Sequence, residues 1–361
     1  MANEEKVTQT VSEEVIEATK KAVKSQKKKT SPVTGKKIIS IDGALQVKTD
    51  AQIDEDTYLD LNESVKNKKI LTGMVTGVEK QGNHIVALIF MENYKVMIPA
   101  EEFIDIGDPG ERDKVKYTEY LLSKRIGSEI DFIVKAIDKE RGLAIASRKA
   151  AMVQKCKEMI NPAKKNGQTI FYKGAVVEAR VVQTIRSGIV IEAGGVETLI
   201  PSRELSYQRI QDATEAFSVG QRVIAYIEDI EETDVDTMTE ERPMIPGTEI
   251  KRTEKIKDAE GNTQKVEKTY MISLKASLKK AQKNPYEVAM KRYQVHQMYL
   301  GKVSMVDENG VFVALNGNVD VLCPYPQRGE RPTRGTKVSV RITLKNEEMN
   351  RIFGIICAVI K

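Results

Sequence analysis

The sequence predicts an all-β-dominated protein, three tandem five-stranded barrels of one type joined by short helices, behind a disordered N-terminal arm. Three features point there. From Lys69 onward the chain runs in short stretches rich in Val and Ile, punctuated by Gly and Asn turns, the pattern of strands. Three segments repeat one order of features over about 75 to 100 residues each, which marks a tandem array. Five short strands per segment suit a small closed barrel better than a sandwich, because closure removes the exposed edges.

Taken in order, residues 1–68 read as a charged arm. Large apolar residues are few, a lysine cluster spans 20–37, and an acidic stretch follows with Asp50, Asp54, Glu55, Asp56 and Asp60. Within it, residues 11–24 have helical character, with Ser12, Glu14 and Glu17 near the start and lysines near the end, as the helix dipole favours. The first barrel is expected over 69–150, a helical linker over 151–171, the second barrel over 172–280, a second helical linker over 281–298 and the third barrel over 299–361. Asn161-Pro162 stops the first linker helix, and Asn284-Pro285 starts the second, which is expected to run on through His296.

The repeats align strand by strand. Opening strands are LTGMVTGVEK from Leu71, EARVVQTI from Glu178 and LGKVSMVDE from Leu300. Second strands are HIVALIF, SGIVIEAGG and NGVFVALNG, and third strands KVMIPAEEF, VETLIPSREL and NVDVLCPYP. The Ile-Pro-x-x-Glu spacing at Ile98, Pro99 and Glu102 recurs at Ile200, Pro201 and Glu204. Fourth strands begin after Gly127, Gly220 and Gly335, and closing strands are GLAIASRKAA, TYMISLKAS and RIFGIICAVI, with Ser147-Arg148-Lys149 set against Ser273-Leu274-Lys275. The middle copy carries an insertion over 232–267. Its acidic first half contrasts with a second half that alternates around the turn-forming residues 258–262, so a protruding hairpin is expected.

Composition narrows the function. With 57 Lys+Arg against 52 Asp+Glu the formal charge is only +5, compatible with nucleic-acid binding without demanding it. His84 and His296 are the two histidines, and neither has a partner at catalytic or metal-ligand spacing. Three scattered cysteines, Cys156, Cys323 and Cys357, form no C-x-x-C pair and read as buried thiols in a reducing compartment. No apolar run reaches the roughly 18 residues of a membrane span, and the N-terminus lacks a secretory signature, so a cytoplasmic location is expected. The chain has no Trp, and no phosphate-binding glycine loop. Neither catalysis, a cofactor, a metal nor a small-molecule substrate is expected.

The middle unit, KGAVVEARVVQTIRSGIVIEAGGVETLIPSRELS followed by VGQRVIAYIEDIE and a closing ISLKAS, resembles the S-one RNA-binding domain, an oligonucleotide-binding (OB) barrel that occurs in tandem in the bacterial small-subunit ribosomal protein S-one family. The first copy is similar through IPAEEF and ASRKAA, the third more distantly, so the resemblance spans about 69–361 and the form is a short, three-domain one. It implies single-stranded RNA on the face of the second and third strands, through an aromatic-Gly-x-aromatic-Val motif and a His after the third strand. Here the middle copy reads Ser187-Gly188-Ile189-Val190-Ile191 with Pro201 in the place of that His. The third reads Asn309-Gly310-Val311-Phe312-Val313 with Cys323 there, and the first reads Asn83-His84-Ile85-Val86. In the family, similarly degenerate copies dock on the ribosome.

With most aromatics replaced, the candidate RNA contacts are basic. Arg180, Arg186, Arg203 and Arg209 sit on or beside the first three strands of the middle copy, where guanidinium groups suit phosphate and base faces. In the third copy Arg328, Arg331, Arg334, Lys337 and Arg341 form the densest positive patch outside the arm, and Phe312 is a candidate stacking platform. Tyr172 and Lys173 precede the middle barrel as further candidates. The expected function is that of a non-enzymatic RNA-binding protein of translation, tethering mRNA to the small ribosomal subunit through several weak sites. The alternative is a protein-docking or regulatory scaffold built from the same barrels.

Overall fold

The structure is a computed structural model that describes residues 50–82, 84–106, 113–160, 171–235, 247–257, 263–326, 331–347 and 349–360. The helix expected over 11–24, the lysine cluster, the turn at 258–262 and Arg328 lie outside the described residues.

The first unit comprises α1 (Asp50–Asn67), β1 (Leu71–Gln81), β2 (His84–Met91), β3 (Tyr94–Pro99), α2 (Ala100–Phe103), α3 (Lys114–Ser123), β4 (Glu129–Asp138) and β5 (Leu143–Ser147). Its strands close in the order β1-β2-β3-β5-β4, sealed by the parallel pairing of β3 with β5 from Lys95↔Leu143 to Met97↔Ile145. Inward-facing residues such as Val75, Ile89, Val96, Ile98, Phe132 and Ala144 fill it.

The arm expected over 1–68 is corrected at its end, since the acidic stretch is the helix α1. Thr57, Leu61 and Ser64, spaced i, i+4, i+7, are its buried face. Ser64 Oγ accepts from the Val134 N–H (2.9 Å) beside a bulge in β4 and donates to the Lys69 carbonyl (2.7 Å). A buried stripe with one large apolar residue is too polar to stand out in sequence. The helix α3 was likewise not expected; Asp113 caps it, accepting from the Val115 N–H at 2.9 Å, and Leu122 anchors it in the core.

The second and third barrels belong together in the other compact unit. After α4 (Arg148–Met159) come β6 (Val176–Ile185), β7 (Gly188–Ala193), β8 (Val196–Pro201), a 3-10 turn (Ser202–Glu204), α5 (Ala213–Ala216), β9 (Arg222–Asp234), β10 (Thr248–Lys257), β11 (Thr263–Ser277) and α6 (Leu278–Ala281). The expected hairpin is β10–β11, in register from Thr248↔Ile272 to Lys257↔Thr263. It adds a sixth strand, so the sheet runs β10-β11-β9-β6-β7-β8 where a closed five-strand barrel was expected. β10 takes the edge of β11 that would otherwise face β8, and side chains bridge the gap: Thr198 Oγ1 donates to the Leu274 carbonyl (2.5 Å) and Thr248 Oγ1 to that of Gly195 (2.6 Å).

The third barrel follows α7 (Pro285–Arg292) and holds β12 (Met298–Asp307), β13 (Gly310–Leu315), β14 (Val319–Cys323), β15 (Lys337–Asn346) and β16 (Arg351–Ile360), closed in the same order as the first. The second linker helix stops at Arg292, short of the expected 298. His296 takes a positive φ of 69°, its N–H bonds the Ile342 carbonyl at 2.8 Å, and pairing with β15 draws the chain into a strand.

Each opening strand bulges at one place, after Val75, Val181 and Val303, which bends it around its barrel. Two residues earlier stand Gly73, Ala179 and Gly301, where the wall is crowded: a Cβ on Gly73 would lie 2.6 Å from Ile89 and one on Gly301 2.5 Å from Val313. The closing strands align four residues away from the match read in sequence, because Ser277, not Ser273, corresponds to Ser147. Ser147 donates to Glu102 and Ser277 to Glu204 (2.9 Å), and each serine caps the helix that follows it. Burial alone would raise the Glu102 pKa, but the bonds from Ser147 and Lys135 outweigh it and hold it below its ordinary value. Of the three thiols expected to be buried, Cys156 and Cys323 are, and Cys357 is exposed on β16.

Candidate nucleic-acid interface

At one end of the middle barrel two short connections lie side by side. Residues 186–187 turn β6 into β7, and the 3-10 turn leaves β8; the Ser202 N–H donates to the Ser187 carbonyl at 2.8 Å and holds them together. The glycine of the motif is required here by close approach: a Cβ on Gly188 would lie 2.2 Å from the Ile200 carbonyl oxygen, and one on Gly310 2.4 Å from that of Cys323. The strand register pairs Ile189 with Ile200 and Val311 with Cys323, so Cys323 is the counterpart of Ile200. Pro324, which follows it, therefore stands where Pro201 stands, a correction to the alignment read in sequence.

These connections carry Arg186 and Arg203, both exposed. The chain then crosses toward the third barrel through residues 205–212 and brings up Arg209. Together they line a cleft of 540 Å³ with Ser187, Pro201, Ser202, Ile210, Gln211 and, from β12, Met305. Three guanidinium groups converge, and among the described residues that line the cleft none is a carboxylate, so it is matched to an anion.

Arg209 is held from both ends. Its N–H donates to Asp320 Oδ2 on β14 (2.7 Å), and its guanidinium lies 5.0 Å from the Phe312 ring centroid. Asp320 Oδ1 accepts from Ser304 (3.1 Å), and the Asp320 backbone is bracketed by the Tyr286 hydroxyl, which accepts from its N–H and donates to its carbonyl. Burial raises the Asp320 pKa, against the opposing pull of the Arg209 N–H, Ser304 and the Arg209 charge. Phe312 points away from the barrel core, which takes Val311 and Val313 from the same strand, yet it is only 7% exposed.

The remaining candidates lie outside the cleft lining. Arg180 is largely buried, with its guanidinium 3.6 Å from Glu192. Arg334 pairs with Glu215 of the middle barrel at 2.8 Å, and Arg331 lies over the Tyr325 ring at 5.9 Å. Lys337 and Arg341 are exposed on β15, opposite Lys302 and Met298 of β12. Tyr172 is exposed, and Lys173 pairs with Asp229 at 3.3 Å. Sequence reasoning missed Ser187, Ser202, Gln211 and Met305 as lining and Asp320 as the anchor; the serines flank the turn arginines and were open to discovery, whereas Asp320 looks like any strand residue.

Among known proteins, residues 170–236 match the S1 RNA binding domain. The small ribosomal subunit protein bS1 of Neisseria meningitidis serogroup B is 25% identical over 170 residues, 47% of this chain and 27% of that one. The bS1 protein of Staphylococcus aureus is 28% identical over 181 residues, 49% of this chain and 40% of that one. A 4-hydroxy-3-methylbut-2-enyl diphosphate reductase of Clostridium acetobutylicum is 24% identical over 274 residues, 74% of this chain and 33% of the reductase. The chain thus spans roughly a third of the length of the curated relatives it matches. Among the described residues no helix is long and apolar enough to cross a membrane.

Proposed function

The chain is of the S1 type, with an S1 RNA-binding domain as its middle barrel, and from that premise we propose that it binds single-stranded RNA without catalysing a reaction on it, and holds mRNA at the small ribosomal subunit in the cytoplasm. The observation that carries this reading is the cleft of Arg186, Arg203 and Arg209, lined by no carboxylate among the described residues and built from the connections that flank the second and third strands. Guanidinium groups at such a place grip phosphate in pairs of hydrogen bonds and tolerate any base. Replacement of the family's aromatics leaves each barrel a weak binder, and tethering makes each later contact intramolecular, so weak sites add into a useful affinity.

Anisotropy of a labelled, unstructured RNA of about 30 nucleotides, titrated with the intact chain at low salt, tests the reading. Binding that weakens steeply with salt supports it. No binding at low salt overturns it in favour of a protein-docking scaffold, a role for which the third barrel offers the exposed Met298 and Leu300, 64% and 70% accessible.

A further inference from the structure

We propose that the second barrel fills the base-stacking place of the third with its own Arg209, so that the two barrels present one RNA strip across the arginine cleft and Phe312 is not a platform for bases. The capping of Phe312 stands on geometry alone, and the path of the RNA rests on the function proposed above.

Phe312 lies on the outer side of β13, with Met305 and Leu322 as its cross-strand partners. The same register position is Val190 in the middle barrel, opposite Gln183, and Leu88 in the first, opposite Gly77. A stacking platform for bases must stand in solvent. Phe312 is covered, and the guanidinium 5.0 Å from its centroid is a planar cation placed as a stacked base would be.

Three independent contacts fix this arrangement. The Arg209 N–H is bound to Asp320 at 2.7 Å. Two residues earlier, the Tyr207 ring meets Tyr286, centroids 6.3 Å apart and tilted by 52°. Beyond the cleft, Glu215 of the middle barrel pairs with Arg334 of the third at 2.8 Å. Arg334, read in sequence as a free phosphate contact, is thereby part of the joint between barrels. Since Arg209 also lines the cleft, one residue closes the aromatic face and adds its charge to Arg186 and Arg203. RNA recognition by this pair of barrels is then backbone-directed and indifferent to base identity.

The chain has no Trp, so Phe312→Trp installs a single fluorescent reporter at the covered position. With Arg209 in place, acrylamide is expected to quench it several-fold less than free tryptophan. Its intensity should not change when labelled oligouridine saturates the protein, as followed by anisotropy. Adding Arg209→Ala should raise the quenching several-fold and make the emission respond to RNA. A reporter open to acrylamide with Arg209 present overturns the capping, and an emission change on RNA binding with Arg209 present overturns the exclusion of bases. A covered reporter in a chain that binds no RNA upholds the capping and sinks the RNA function instead. Should the Trp variant fail to fold, hydrogen exchange in the unaltered chain reads the bond that anchors the cap. The Arg209 amide is expected to be protected and to exchange at least tenfold faster in Asp320→Ala, while β7 amides are unaffected; exchange at the free-chain rate in the unaltered protein would refute the cap.

Discussion

Changing Arg186 and Arg203 together to Ala tests the cleft most directly. Both are exposed and stand at turns, so the double variant should unfold at the same temperature as the parent chain. Each phosphate neutralised on a single strand contributes about −0.7 to the slope of log K against log salt, so the three guanidinium groups of the cleft contribute about −2.1. Between about 50 and 200 mM salt that amounts to an affinity loss of about 18-fold from this cleft alone. Removing two of the three should flatten the slope by about 1.4 and cut the cleft's share of the loss to about threefold. Anisotropy titrations of a labelled, unstructured RNA across a salt series measure the slope for both chains. A double variant that keeps the parent slope, with the fold intact, would refute the assignment of these arginines to phosphate.

Three further outcomes follow from the same geometry. Asp320→Ala removes the acceptor of the part-buried Arg209 N–H bond and should cost about 1 kcal/mol in urea unfolding. Because the folded pKa of Asp320 lies above its ordinary 3.8, the folded state retains a proton that the unfolded chain has released between those two values. The contribution of Asp320 therefore falls as pH rises through that window, and Asp320→Asn should abolish this dependence, as unfolding midpoints at several pH values would register. Gly188→Ala drives a Cβ into the Ile200 carbonyl and should cost about 1–3 kcal/mol, whereas Gly77→Ala, with open space around it, should be near neutral; equal midpoints for the two would contradict the close approach. A thiol reagent at pH 8 should label Cys357 alone in the native chain, since burial pushes the thiols of Cys156 and Cys323 up to about 12, and mass spectrometry should find all three labelled only after unfolding.

What the sequence determined by itself is what local periodicity encodes. Alternating valines, turn glycines and the repeated Ile-Pro-x-x-Glu were enough for three repeats of five strands, the inserted hairpin and the first linker helix, because side-chain alternation and turn chemistry act within a few residues. That the arginines at residues 186 and 203 stand beside strand ends was legible for the same reason, since the pattern locates those ends. Tertiary structure decided the rest. The helix α1 hid in an acidic stretch because one leucine and a buried serine anchor it, and their value depends on a β4 amide 70 positions away. The joining of Arg209 to Asp320 spans 111 positions, and no local pattern can announce which carboxylate a backbone amide will meet. The positive patch read as one surface in the third barrel is divided by its partners, Arg334 by Glu215 and Arg331 by Tyr325. Charge runs along a chain as composition, but the field that an RNA strand meets is set by which charges remain unopposed once the barrels have packed.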